Sequence, residues 1–363
     1  SEKKRKFKLP SLVFFEKFIG VSLSEKLFFT RNLRVMVKTG ISLPRAFKIL
    51  SNQTKDRKFK KALEVISEKI AQGESLSNSL GIFPEIFPNL YQETLKVGEE
   101  TGSLESSLKV LSDQMEKEYN LKSKIKTAML YPLIVLGLAL VMGVFMFIFI
   151  VPNLKAVFED MSIELPFTTK VIFALADFMI NNWMATLLII ALFIFILFTS
   201  FKSQKGEKFK SRLILKLPII SKITKQTNSA LSLRTLSSLL KAGVPIVRAL
   251  EITSRTLTNF YFRESLEKTA RVVEKGERLS QALSPYKNLY LPMVSEMIEI
   301  GEETGETSDV LEGLADFYEE EVINALQKLS STIEPILILI IGGVVGFFAV
   351  SMFQPIYSIM GGI

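Results

Sequence analysis

The chain has 363 residues, 48% of them hydrophobic, which is high for a soluble protein of this size and points to a membrane protein. It contains no His and no Cys, so disulfides, thiolate nucleophiles, imidazole bases and the usual zinc ligands are excluded together. The net charge of +8 sits at the front: residues 1–128 carry 24 Lys/Arg against 15 Asp/Glu, whereas residues 202–334 carry 19 against 18.

Residues 1–21 form a basic N-terminal arm. Its lysines precede apolar residues as in a secretory signal, but Pro10, Glu16 and Lys17 interrupt the apolar part and no small-residue cleavage site follows. The arm is expected to stay in the cytoplasm. Phe7, Phe14 and Phe15 suit contact with an anionic membrane surface, and a solvated end fits equally well. Ser1 in place of Met sets the expected start upstream or implies processing.

Residues 22–128 read as a first cytoplasmic helical unit, with apolar positions at helical spacing and breaks at Gly, Pro and Ser. Ser22 with Glu25 opens a helix that Gly40 ends, and Ser42 with Pro44 opens a second. A third ends at Gly73, a short "SLSNSL" and a fifth helix follow, and a long sixth runs from about Ser103 into the membrane. Phe28, Phe29, Leu33 and Val37 fall on helical stripes and are assigned to the core, as are Leu236, Leu239 and Leu240 further on.

Three apolar tracts follow. Leu133–Val151 has 19 residues without a charge, inside a first transmembrane segment at 129–152; 185–201 lies in a second at 183–201; and 336–353 lies in a third at 335–358. Lys117, Lys122, Lys124 and Lys126 precede the first, and Lys202, Lys205, Lys208, Lys210 and Arg212 follow the second. This distribution places the 153–182 connector, with its amphipathic helix, outside and the second helical unit, 202–334, inside. The C-terminus, 359–363, is then external. None of the tracts contains an ionisable residue, which disfavours a pump or channel.

A 203-residue offset aligns Arg31 with Arg234, Gly40 with Gly243, Ala46 with Ala249, Gly73 with Gly276, Pro132 with Pro335 and Pro152 with Pro355, without an insertion. The expected fold class is therefore all-α: two homologous cytoplasmic six-helix bundles plus three transmembrane helices. Each unit carries "GEETG", as Gly98–Gly102 and Gly301–Gly305, between its fifth and sixth helices. Gly98 and Gly301 suit left-handed helix ends, and Thr101 or Ser103 and Thr304 or Thr307 suit caps for the next helix. Glu99, Glu100, Glu302 and Glu303 would then lie at that next helix's positive end. The same four carboxylates are the candidate metal ligands, although the aspartate-rich calcium loop of an EF-hand is absent.

The duplicated units with "GEETG", the tract "KIKTAMLYPLIV" ending in "FIFIVP", and "ELPFTTKVIFALADFMINNW" together resemble the inner-membrane platform proteins of type II secretion systems and type IV pili. The resemblance runs from about Ser22 to Pro355 and rests on Lys124, Ile125, Ala128, Met129, Tyr131, Pro132, Ile150, Val151 and Pro152. The second copy departs from the pattern at Glu334 and at Glu306-Thr307. The resemblance implies a non-enzymatic core of the bacterial inner membrane, without a cofactor. Such a core binds a hexameric cytoplasmic ATPase, pilin or pseudopilin subunits and other inner-membrane assembly proteins, couples ATP-driven motion to filament assembly, and self-associates.

No Lys or Arg occurs from Asn288 to Gln327, while the first unit's counterpart is diluted by Lys96, Lys109 and Lys117. Single-sign charge steers partners, so Glu306, Asp309, Glu312, Asp316, Glu319, Glu320 and Glu321 are candidate contacts for a basic face of the ATPase; a solvated helical pair is the alternative. Gly342 and Gly346 form a GxxxG pattern, a candidate packing face in the third span. The basic run Lys55, Arg57, Lys58, Lys60 and Lys61 lacks interleaved aromatics and a DNA-binding motif, so no nucleic-acid partner is expected. A membrane-embedded NTPase or protease is the runner-up, disfavoured by the absence of a GxxxxGK[ST] loop, of His and Cys, and of paired intramembrane aspartates.

Overall fold

The computed structural model describes residues 20–160, 167–189, 191–192 and 203–360, and none of these forms a strand. Nearly all of the basic arm, most of the second apolar tract and residues 361–363 lie outside the described residues. The chain divides into two compact units: one runs up to Lys122 and includes Thr224–Glu320, the other holds Ser123–Ile223 and Glu321–Ile363.

The first unit contains both sequence repeats. Repeat one supplies α1 (Leu23–Lys38), α2 (Leu43–Gln53), α3 (Arg57–Ala71), α4 (Leu76–Gly81), α5 (Asn89–Glu100) and the start of α6 (Leu104–Phe145). The six helices follow the expected order. Ser22 accepts the Glu25 N–H at 3.2 Å and Asp56 accepts that of Phe59 at 2.8 Å, each satisfying a donor that a helix start leaves open. Ser42 occupies the N-cap position of α2 as expected but makes no side-chain cap bond, and Pro44, whose fixed φ suits a first turn, follows Leu43. Phe29, Phe47 and Phe59 meet edge to face around Leu33, Leu63, Ile66 and Leu95, all fully buried. Each such side chain contributes roughly 1.5–3 kcal/mol. Phe28 is 57% exposed and leaves the expected core, because consecutive helical residues point about 100° apart and Phe29 takes the inward direction.

Repeat two rebuilds the scheme with α10 (Pro218–Lys241), α11 (Ile246–Thr256), α12 (Phe260–Val273), α13 (Leu279–Leu283), α14 (Pro292–Thr304) and the start of α15 (Thr307–Met360). Its core gathers Leu236, Leu239, Leu250, Phe262, Ile298, Leu311 and Tyr318. Each repeat also buries a hydroxyl pair, at positions the offset does not equate: Thr30 with Tyr91 at 3.0 Å, and Ser232 with Tyr290 at 3.4 Å. Burial pushes the Tyr290 phenol up to about 12 and raises that of Tyr91 as well.

In the second unit α6 runs through Pro132 to Phe145, a single π turn spans Met146–Ile150, and α7 (Val151–Asp160) continues without a break. The wider turn fits the missing N–H and the ring of Pro152, which an uninterrupted α-helix would not hold as well. The connector holds two helices: α8 (Phe167–Asn181) packs on α7 through Val151, Phe158, Ile172, Phe173 and Ala176, and Lys155 donates to Asp177 at 2.7 Å. Also here lies α9 (Gln204–Lys216). Among the described residues two helices, Leu104–Phe158 and Thr307–Phe347, are long and apolar enough to cross a membrane; Thr169–Asn181 and Trp183–Ile189, bent by 95°, make a third if they form one broken span.

Candidate functional site

Each residue of the "GEETG" turn has a separate structural task. Gly98 is helical and lies within α5, where the backbone of α6 crosses it: a Cβ there would come within 2.8 Å of the Ser107 Cβ. A Cβ on Gly301 would approach the Thr307 Cα at 3.0 Å. The left-handed position belongs to the second glycine, φ 69° at Gly102 and 78° at Gly305, not to the first as expected. The reason is hydrogen bonding. With Gly102 left-handed, the Ser103 N–H reaches the Gly98 carbonyl at 2.8 Å and closes the helix end. Thr101 and Thr304 donate back to Val97 at 2.7 Å and Ile300 at 2.9 Å, so they finish the helix before them rather than cap the next.

The first glutamate was expected at the start of the following helix and instead serves the short helix 23 residues upstream. Glu99 accepts the Leu76 N–H at 2.6 Å and the N–H and hydroxyl of Ser77 at 3.1 and 3.0 Å. Glu302 repeats this on Leu279 at 2.6 Å and on Ser280 at 3.2 and 2.5 Å. A carboxylate on the open N–H groups of α4 or α13 receives charge-assisted hydrogen bonds at the positive helix end. Both oxygens are thereby engaged. Glu100 is exposed, and Glu303 lies 3.7 Å from Arg278. Among the described residues no group of three acidic side chains is placed to hold a metal ion. Sequence reading missed Ser77 and Ser280, although their 203-residue spacing matches that of the two glutamates.

The acidic window is partly neutralised within its own unit. Arg234, 5% exposed, meets Glu319 at 3.0 Å, Glu312 at 3.5 Å and Asp316. Lys241 pairs with Asp309 at 2.7 Å and with Glu312. Four of the seven candidate contacts are therefore held by cations of repeat two, while Glu306 and Glu320 are exposed. At the equivalent place in repeat one, Arg31 pairs with Glu116 and both remain about half exposed.

The two repeats also pack against each other. Gln114 on α6 donates to Thr235 at 3.3 Å and accepts from Ser238 at 2.8 Å, and Lys117 donates to Asp316 at 2.8 Å. On α5, Glu93 accepts from Arg248, and Val97 lies against Gly243.

In the second unit a cleft of about 720 Å³ opens between α6 and α15, lined by Lys124, Ala128, Tyr131, Leu326, Ser330 and Glu334. Ser330 donates to the Ala128 carbonyl at 3.4 Å across it. Gly342 and Gly346 lie on α15 with nothing within 4 Å of a Cβ at either position.

Residues 29–152 and 232–355 each match the family described as Type II secretion system (T2SS), protein F. The two ranges are related by the same offset that aligns the repeats. Over 342 residues the chain is 34% identical to the type IV pilus assembly protein PilC of Thermus thermophilus, covering 94% of this chain and 84% of that one. It is 32% identical over 346 residues to the type IV pilus assembly protein PilC of Myxococcus xanthus, covering 95% and 83%. Against the type II secretion system protein F of Aeromonas hydrophila the identity is 30% over 342 residues, covering 94% and 87%. With both matched ranges running from the helical repeats into the apolar helices, the chain belongs to the type II secretion system protein F family.

Proposed function

We propose that this protein is the non-enzymatic inner-membrane platform that couples a cytoplasmic assembly ATPase to the extraction of pilin or pseudopilin subunits and their assembly into a filament. The observation that carries the reading is the double match to the family, at 29–152 and 232–355. The geometry agrees with a mechanical role. In each copy of the acidic motif that invited a catalytic or metal-binding reading, the first carboxylate, Glu99 or Glu302, holds a helix start. The 42 residues of α6 span about 63 Å at 1.5 Å per residue and carry the chain from repeat one into an apolar tract.

In this reading the helical repeats and the N-terminus face the cytoplasm and the C-terminus is external, as the lysines flanking the apolar tracts favour. Its partners are the motor ATPase, the filament subunits, other inner-membrane assembly proteins and a second copy of the chain. The motor contact is assigned to the tip of the α14–α15 turn, where Glu303 and Glu306 are exposed. An ATP hydrolysis assay tests the reading: the purified chain gives no turnover and co-purifies with the cognate ATPase in low salt. Intrinsic turnover overturns the platform role, and unchanged co-purification of Glu303→Lys/Glu306→Lys overturns the assignment of the tip.

A further inference from the structure

The contact between the repeats uses unlike faces. Repeat one offers Glu93, Val97, Gln114 and Lys117, and repeat two receives them on Arg248, Gly243, Thr235 and Asp316. The 203-residue offset carries the offering set to Glu296, Ile300, Phe317 and Glu320, and the receiving set to Arg45, Gly40, Asn32 and Asp113. Among the described residues neither of these second faces is covered. Ile300 is 51% and Phe317 43% exposed on one; Phe28 at 57% and Val35 at 59% stand on the other. Arg45 and Glu296 are both exposed. A two-fold contact between the repeats would have joined Arg45 to Glu296 as it joins Arg248 to Glu93. The contact is head-to-tail instead, and a head-to-tail contact leaves one free face of each kind, able to repeat.

We infer that the α14–α15 face of one copy docks on the α1–α2 face of a second copy, repeating between chains the contact that joins the two repeats within each chain. The chemistry corresponds at the charge pair on α2 and α14 and at the apolar centre. Arg45 and Glu296 keep the signs of Arg248 and Glu93. The Lys117–Asp316 pair is not reproduced: the offset sets Glu320 opposite Asp113, two exposed carboxylates whose repulsion solvent and salt screen. The remaining correspondence turns more apolar: Gln114 against Thr235 and Ser238 becomes Phe317 against Asn32 and Val35, next to Phe28. Apolar surface of this extent on both faces is what a docking site requires. Glu296 on α14 thereby gains a cation in Arg45 of another copy.

The proposal does not depend on the coupling role, and its test does not read filament assembly. The chain has no Cys, so introduced thiols report without background. Asn32→Cys and Phe317→Cys are placed on two differently tagged full-length copies, co-expressed, and oxidised in native membranes. The expected product is a disulfide-linked species carrying both tags, at least ten-fold more abundant than any species from either substitution alone. Stronger linkage of Asn32→Cys with itself, or of Phe317→Cys with itself, overturns the head-to-tail assignment, and so does the absence of the mixed species. Arg45→Glu in the copy carrying Asn32→Cys lowers the mixed product several-fold, and Glu296→Arg in the other copy restores it. No restoration overturns the pairing.

Discussion

Glu99 accepts the backbone N–H of Leu76 at 2.6 Å, and 203 residues later Glu302 holds Leu279 at the same distance. One carboxylate thus ties the fifth helix of each repeat to the start of its fourth. Replacing either by Ala leaves two part-buried N–H groups without a charged acceptor, at about 1–3 kcal/mol each. Hydrogen exchange measured by mass spectrometry checks this: in Glu99→Ala the amides of α4 exchange faster by one to two orders of magnitude, while those of α13 are unchanged. Calorimetry with millimolar calcium on the wild-type chain is expected to show no binding, because the carboxylate oxygens of Glu99 and Glu302 are already engaged.

Gly98 and Gly102 fail in different ways when given a side chain. At Gly98 a Cβ meets Ser107, and the helices must part, as in an overpacked core, at about 1–3 kcal/mol. At Gly102 the space is open and the backbone is the obstacle, with φ 69° and a penalty of about 1–2 kcal/mol. Ser107→Gly relieves Gly98→Ala and leaves Gly102→Ala unrelieved. Urea midpoints of the four variants check the distinction.

Arg31 and Arg234 occupy equivalent positions and differ in consequence. Arg31 shares an exposed pair with Glu116, and Arg31→Met changes stability by less than about 1 kcal/mol. Arg234 is buried, and Arg234→Met leaves the part-buried Glu319 without its cation, at about 3–5 kcal/mol, while Glu312 and Asp316 keep Lys241 and Lys117. The difference appears as a shift of several degrees in melting temperature for the second variant alone.

Tyr290 gives a pH signature. Its folded pKa, pushed up to about 12 by burial, lies above the unfolded value of 10.0, so the folded state favours the neutral phenol. That stability is fully present below pH 10 and is lost as pH rises through the interval toward 12. Phenolate absorbance from Tyr290 therefore appears late in an alkaline titration, and Tyr290→Phe removes one late component while leaving that of Tyr91, which burial also raises.

Much of the architecture was legible because it depends on local pattern. Apolar spacing and Gly or Pro breaks located six helices in repeat one, and the offset from Arg31 to Arg234 announced the second copy. The tasks within "GEETG" were not legible. Gly98 and Gly102 are the same residue type, and only the crossing of α6 over α5 decides which takes the left-handed turn. Glu99 points to a helix end 23 residues away, a distance that helix-start preferences do not address. Phe28 reads as core from hydrophobicity alone, yet its neighbour Phe29 takes the interior. The acidic window likewise reads as one surface, although Arg234 and Lys241, more than seventy residues upstream of most of it, already hold four of its carboxylates.

The coupling role is tested most directly by deleting the gene, imaging surface filaments, and assaying secreted enzymes and DNA uptake in the same cells, with pilin and ATPase levels monitored. The platform reading predicts that filaments or secretion are lost while pilin and ATPase remain at normal levels, and that the wild-type chain restores them. Filaments, secretion and uptake that all persist without the chain would contradict it.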